Sequence, residues 1–473
     1  MLNNKSILII GAGISGITAA VSLIKSQFTN VIILEAENRI GGRIETVSFA
    51  NGFIDLGAQW CQGEKGNSVY ELCKNEFKFG TTGWLNGTGF VPVASSGEID
   101  VEKILRLEEL RQEILLKYDE MKKSKVSIGE FFEEKFYDAL KTSQFQDIDE
   151  KLADMFLGFW QREFNSLFAS TNWYDVSSKL YPILETCEGQ QDLTWRQYGF
   201  KTLFDIIQKD LPKSIKLEEK ILLNKKVTKI NWSNEKVIVQ TEDNSVYSAD
   251  NIIITIPLGY LQAHHMNIFY PKLPDSKIKA IECIKVGTLG KVFLEFEECF
   301  WNRDNDDFVM YAFLWTKEDL EQIIDTDKEW LTHILGFIKV DSHPNLLEGL
   351  LSGDKMREFE TYSNDKIISD CMWMLEKFLK RSLPRPIAMR RTKWLTRENF
   401  LGSYTYLSMK SADENITSDD LATSIKSKNN KPVLLFSGEA THKRYQGYVH
   451  GALDSGKRAA QEIIDFYSSK SKL

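Results

Sequence analysis

The run SILIIGAGISG at residues 6–16 constrains this chain more than any other stretch: an apolar strand-type run passes without a break into a glycine-rich turn. Such a run, bounded by glycines, reads as a strand buried on both faces. A helical pattern follows at 17–25 and a second buried strand at 31–34, which completes a βαβ unit. In such a unit Gly11 permits the tight turn, Gly13 lets the backbone approach a pyrophosphate, and Gly16 lets the helix lie close to the strand. Ser15 belongs to the same loop, and phosphates sit at the positive end of the helix it opens. Glu35 ends the second strand 19 residues beyond Gly16, where a carboxylate accepts ribose hydroxyls and argues against a ribose phosphate. The unit predicts dinucleotide binding.

The length of 473 residues exceeds what one hydrophobic core organises, so two or three domains are expected. The net charge of −8 disfavours nucleic acid as a partner, because phosphate binding needs a basic face. No run approaches the roughly 20 apolar residues that cross a bilayer, and no signal-peptide pattern opens the sequence, so no membrane partner is expected. Six cysteines lie scattered without a CxxC pair, the usage of reduced, buried thiols in an intracellular compartment. Six histidines form no ligand-spaced cluster, and no metal site is expected.

Farther along, residues 100–125 carry apolar side chains at helical spacing (Ile104, Leu107, Leu110, Ile114, Leu115, Tyr118) and read as an outer amphipathic helix without chemistry. Strand character returns at 219–256, and helices are expected at 355–382 and about 450–466. Nucleotide-type signals therefore lie at the start, near the middle and near the end. The expected fold is a doubly wound α/β domain assembled from residues 1–85, 197–260 and 390–470, with an α+β substrate domain, containing a mixed sheet, from 86–196 and 261–389.

The run EAENRIGGR at 35–43 resembles the second-strand motif of the flavin amine oxidases, a family that includes polyamine and monoamine oxidases. Four more stretches resemble that family in order: IDLGAQWCQG at 54–63, VTKINW at 227–232, ITIPLGYL at 254–261 and LLFSGEATHKRYQGYVHGALDSGKRAA at 434–460. The resemblance implies FAD. It gives Glu35 the adenosine ribose, Arg43 the pyrophosphate region, and Gly57 and Ala58 backbone contacts beside the flavin. Val227 belongs to the second cofactor stretch, Glu439 would bind the ribityl chain, and the Tyr448–Val449 backbone would approach the flavin pyrimidine. The helix starting there would present its positive end to the reduced ring.

The same resemblance assigns Lys291, in GTLGKVFLEF, to a water beside flavin N5, which it would position for imine hydrolysis while helping the reduced flavin meet oxygen. Alternation alone puts Lys291 on one strand face with Phe293 and Glu295, and leaves open a solvent-facing lysine. Tyr404 and Tyr448 match the aromatic walls that flank the amine, and Trp394 resembles a tryptophan packed near the flavin ring. Gln62 stands where polyamine oxidases usually carry His or Glu facing the substrate, and His450 reads as a packing and hydrogen-bonding residue.

The implied reaction takes a hydride equivalent from the carbon beside a polyamine nitrogen. The imine hydrolyses to an aldehyde and a shorter amine, and oxygen becomes hydrogen peroxide. Spermine, spermidine and their N1-acetylated forms are the substrates implied. The alternatives are an oxidase of monoamines or amino acids, or a catalytically weak flavin-binding module. An amino-acid oxidase would need a cavity arginine, for which Arg162 and Arg196 are candidates; Glu185, Glu188 and Asp192 are candidates for holding a distal ammonium. Residues 471–473, SKL, match a peroxisomal import address, with the import receptor as partner and the cytoplasm as the location if it is not read. Ser403 occupies the position of the cysteine that tethers FAD in monoamine oxidases, and serine cannot form that thioether. Purified protein is therefore expected to be yellow and to release all its flavin on acid precipitation; colour retained in the washed pellet would contradict non-covalent binding.

Overall fold

The computed structural model describes residues 4–82, 90–209, 211–301, 308–341 and 343–470, so the SKL tripeptide lies outside the described residues. The strand Ser6–Ile10 sits inside a six-stranded sheet, paired in parallel with Asn30–Leu34 on one side and Asn251–Ile254 on the other. Pro432–Phe436 and Ile221–Leu222 extend it in parallel, and Ile425–Lys426 closes one edge antiparallel. Ile7 and Ile9 point into a core with the helices Ile14–Lys25 and Val449–Lys470. Leu8 and Ile10 point the other way, toward the helices Leu258–Ile268 and Asp275–Cys283 and a small sheet. That sheet runs Val246–Ala249, Val237–Thr241, Val227–Asn231, Phe269–Tyr270. Burial on both faces is why the run is apolar without alternation. At roughly 1.5–3 kcal/mol for each buried side chain, these four residues contribute as much as the net stability of a typical domain.

The first helix begins at Ile14, three residues earlier than the pattern predicts, and contains Gly16. Tertiary packing overrides glycine's poor helix propensity here: a Cβ on Gly16 would lie 2.0 Å from the Gly11 carbonyl oxygen. Gly11 has φ +107°, and its absent Cβ would meet Thr255 Oγ1 at 2.4 Å. The turn is thus squeezed between the helix it opens and the neighbouring strand.

A second six-stranded sheet is mixed. Its order is Ala388–Arg391, Leu289–Glu295, His343–Ser352, Ile334–Val340, Met310–Leu314, Phe90–Ala94, antiparallel except for the last pair. One face packs on the helices Val101–Leu115, Ile128–Leu140 and Glu150–Phe168, and the other on Asn364–Leu379. The helix predicted over 100–125 is two pieces, Val101–Leu115 and Tyr118–Met121. The one predicted over 355–382 is also two, Met356–Thr361 and Asn364–Leu379, because Tyr362 and Ser363 turn extended and the Ser363 hydroxyl caps the second by accepting from Lys366 N–H. The last helix continues past the predicted end.

Candidate active site

A cavity of about 1140 Å³ opens between the parallel sheet and the mixed sheet. Small-molecule pockets rarely exceed roughly 1,000 Å³, so this volume suits a large cofactor plus a substrate. Of the predicted site residues, Gly11, Gly13, Ser15, Glu35, Arg43, Gly57, Ala58, Gln62, Val227, Lys291, Trp394, Tyr404, Glu439, Tyr448 and Val449 all stand on its wall. Gly16 does not; it lies behind the turn, against Gly11.

At the nucleotide end, the Glu35 carboxylate accepts from Ala12 N–H at 2.7 Å and Glu37 N–H at 2.8 Å. Burial pushes its carboxyl above the ordinary range, and those two bonds pull it back. A Cβ on Gly13 would have no neighbour nearer than 3.9 Å, so a side chain there would take cavity space that bare backbone leaves to a ligand. Arg43 Nη1 donates to Ser403 O at 2.6 Å and to Glu439 Oε1 at 2.8 Å, which joins three distant segments at the cavity floor. Glu439 Oε2 also accepts from Thr405 Oγ1 at 2.7 Å and Gly447 N–H at 3.0 Å, just ahead of the last helix. The positive end of that helix opens on the cavity through Tyr448 and Val449.

Lys291 does not face solvent. It is 3% exposed, and its ammonium donates to Asp55 O at 3.1 Å and to Gln59 Oε1, and pairs with Glu348 at 3.2 Å. Gln59 Nε2 in turn donates to Glu348 Oε2 at 2.7 Å, which closes a polar ring. Burial also lifts the Asp55 carboxyl to about 6, although Thr46 Oγ1 and Phe200 N–H donate to it. The Ser403 hydroxyl accepts from Leu289 N–H at 2.9 Å, two residues before Lys291, so it clips this strand in place.

Tyr404 donates its hydroxyl to Ser166 O at 2.6 Å, and the vacant Cβ position of Gly447 lies 3.4 Å from its ring. Tyr448 follows at once and stacks on His450 with centroids 5.1 Å apart. Burial pushes both phenols upward, Tyr448 to about 12, so they present neutral π faces. Trp394 Nε1 donates to Leu56 O at 3.1 Å. The Gln62 backbone accepts from Asn67 Nδ2 at 2.8 Å, while its side-chain amide has no hydrogen-bond partner among the described residues.

The outer end departs from expectation. Of the carboxylates predicted for a distal ammonium, only Glu185 reaches the wall. Glu188 pairs with Lys65 at the surface, and buried Asp192 accepts from Thr81, Thr82 and Gln190. Arg162 and Arg196 are also absent from the wall: Arg162 donates to Phe313 O, and Arg196 to Lys78 O and Phe79 O. The other charged groups that line this end are Glu108, Arg111 and Glu163, from the helix read as having no chemistry and its neighbour Glu150–Phe168. The i,i+3 pair Glu108–Arg111 was the available signal, but in a sequence it resembles an ordinary solvated face. Among the described residues no group of three metal-ligating side chains gathers, and no helix is long and apolar enough to cross a membrane.

The model of the flavin containing amine oxidoreductases matches residues 14–464. The chain belongs to that family. A flavin is accordingly the cofactor of this amine oxidoreductase, and the bare glycine turn, the buried ribose-type carboxylate and the helix terminus at the other end form a donor set that fits one. A bovine relative named peroxisomal N(1)-acetyl-spermine/spermidine oxidase is 28% identical, over 98% of this chain and 96% of its own. A Candida albicans relative named corticosteroid-binding protein is 27% identical, over 98% and 96%. An engineered putrescine oxidase structure superposes with TM-score 0.71 at 17% identity, over 98% of this chain and 99% of that one, and shares the fold.

His450, 3% exposed among Tyr445, Tyr448 and Cys187, is pushed down to about 3 by burial. A group so weakly basic is a poor proton acceptor at working pH. Its folded pKa lies below the unfolded value, so the unfolded chain takes the proton first and stability falls as pH drops from about 6.5 toward 3. Between pH 6.5 and 5 this group costs about 2 kcal/mol. Unfolding at those two pH values should show His450→Gln losing less stability than wild type; equal losses would mean that His450 is not held neutral.

Proposed function

We propose that this amine oxidoreductase is a polyamine oxidase, which binds FAD without a covalent bond and oxidises spermine, spermidine or their N1-acetylated forms. The observation that carries the proposal is the pairing, in one cavity, of neutral aromatic walls (Tyr404 and Tyr448) with a buried ammonium (Lys291). When bound, the flavin accepts the hydride equivalent and returns the electrons to oxygen, giving hydrogen peroxide. Residues 1–85, 197–260 and 390–470 make up the FAD-binding part, in which Gly11, Gly13, Ser15, Glu35, Arg43 and Val227 hold the nucleotide half. Gly57, Ala58, Trp394, Glu439 and Val449 hold the ring half, and Gly16 keeps the turn closed.

The tyrosines take up the amine as a cation and tolerate its neutral form, whose lone pair helps expel the hydride. Lys291, fixed by Gln59, Glu348 and the Asp55 carbonyl, orients the water that hydrolyses the imine to an aldehyde and a shorter amine. Gln62 hydrogen-bonds and shapes the cavity but exchanges no proton, so the pH dependence of kcat/KM follows the substrate amine. The bovine relative's name and the terminal SKL support a peroxisomal location, reached through the import receptor.

The Candida relative's name favours a second reading, a flavin-binding protein with weak turnover. Oxygen uptake by the flavin-loaded protein separates the two. The proposal expects oxygen uptake and peroxide with spermine, spermidine or an acetylated form, and little with benzylamine or free amino acids. No uptake with any polyamine, from protein that holds flavin, would refute it.

A further inference from the structure

Three glutamates line the outer half of the cavity, Glu108, Glu163 and Glu185, and each lies against an arginine, the first two sharing Arg111. Arg111 Nη2 lies 2.5 Å from Glu163 Oε2, and its Nη1 lies 3.4 Å from Glu108 Oε2. Fully buried Trp160 holds the other Glu108 oxygen through Nε1 at 2.8 Å. Arg444 reaches Glu185 at 3.5 Å near the mouth. The walls around these pairs are apolar, with Ile104, Leu105, Phe159, Phe168 and Tyr181. An ammonium arriving here meets carboxylates already engaged by a guanidinium, and it must shed water against apolar side chains.

We propose that Arg111 is a specificity-determining residue: by engaging both Glu108 and Glu163 it leaves neither of these carboxylates unpaired, so the preferred amine carries an uncharged, acyl-capped far end. The inference rests on the amine-oxidising function proposed above. The geometry makes Arg111 a switch as well as a strut between two helices. It stands 13% exposed on the cavity wall, and Glu163 Oε1 has no hydrogen-bond partner among the described residues. Burial lifts the Glu163 carboxyl and the Arg111 charge opposes that, so removing Arg111 leaves a carboxylate in want of a cation. A free ammonium at the far end of a polyamine supplies one.

The test compares kcat/KM for N1-acetylspermine and for spermine in the flavin-loaded wild type and in Arg111→Gln. The wild type should favour the acetylated amine, and Arg111→Gln should move the ratio toward spermine by at least tenfold. Arg111→Lys keeps the charge and should hold the ratio near that of the wild type, which loss of a strut alone would not produce. If Arg111→Gln fails to fold, Glu163→Gln serves instead: it removes one of the two carboxylates that share Arg111 and should shift the ratio at least threefold further from spermine. A ratio that moves less than twofold in the folded variants, or a wild type that favours spermine, overturns the inference while leaving amine oxidation intact. A wild type that oxidises neither amine fails the functional proposal instead.

Discussion

The buried ammonium of Lys291 is the interaction on which the rest of the site depends. It arises from the mixed sheet but bonds to Asp55, the last residue of the strand Gly52–Asp55, and to Gln59 in the loop beyond it. Glu348, wholly buried on the adjacent strand His343–Ser352, completes the arrangement two pairs along the ladder: Lys291 opposes Leu350, and Phe293 opposes Glu348. Two charges buried this deeply cost several kcal/mol each in lost hydration, and they persist only where partners are complete. The ring through Gln59 supplies a hydrogen bond to Glu348 Oε2, and Oε1 meets the ammonium as an ion pair. It also fixes how the two halves of the cavity face each other.

Around that joint, the two ends of the cavity are built on opposite principles. The nucleotide end is made of backbone brought unusually close: Gly11 and Gly16 leave no room for side chains, and Arg43 ties Ser403 to Glu439 across the floor. The outer end is made largely of side chains from two helices, mostly apolar around carboxylates and the arginines that answer them. One end is a tightly packed frame. The other is tuned by a balance of charge that a single substitution alters.

This contrast explains what could be read from the sequence. Turn chemistry is local, so Gly11, Gly13 and Glu35 announce themselves by spacing, and both-face burial makes Ser6–Ile10 legible as a core strand. The break at Tyr362–Ser363 was not legible, because the apolar period runs on across a capping serine. Charge placement was the least legible. Asp192 and Arg162 look like cavity residues by their place in the chain, yet one satisfies threonine hydroxyls and the other a backbone carbonyl. Glu108, Arg111 and Glu163 look like a solvated surface and instead face the cavity, because only tertiary packing decides which polar stripe of a helix meets water.

The Lys291 ammonium is proposed to act on the reaction as well as to join two layers. Stopped-flow absorbance of the Lys291→Met protein follows flavin bleaching by a polyamine without oxygen, then recovery of colour with oxygen. Flavin should remain bound, and at least one of the two rates should fall tenfold or more, roughly 1.4 kcal/mol of barrier. Wild-type rates for both half-reactions, in protein that keeps its flavin, would contradict the claim and leave Lys291 a structural residue.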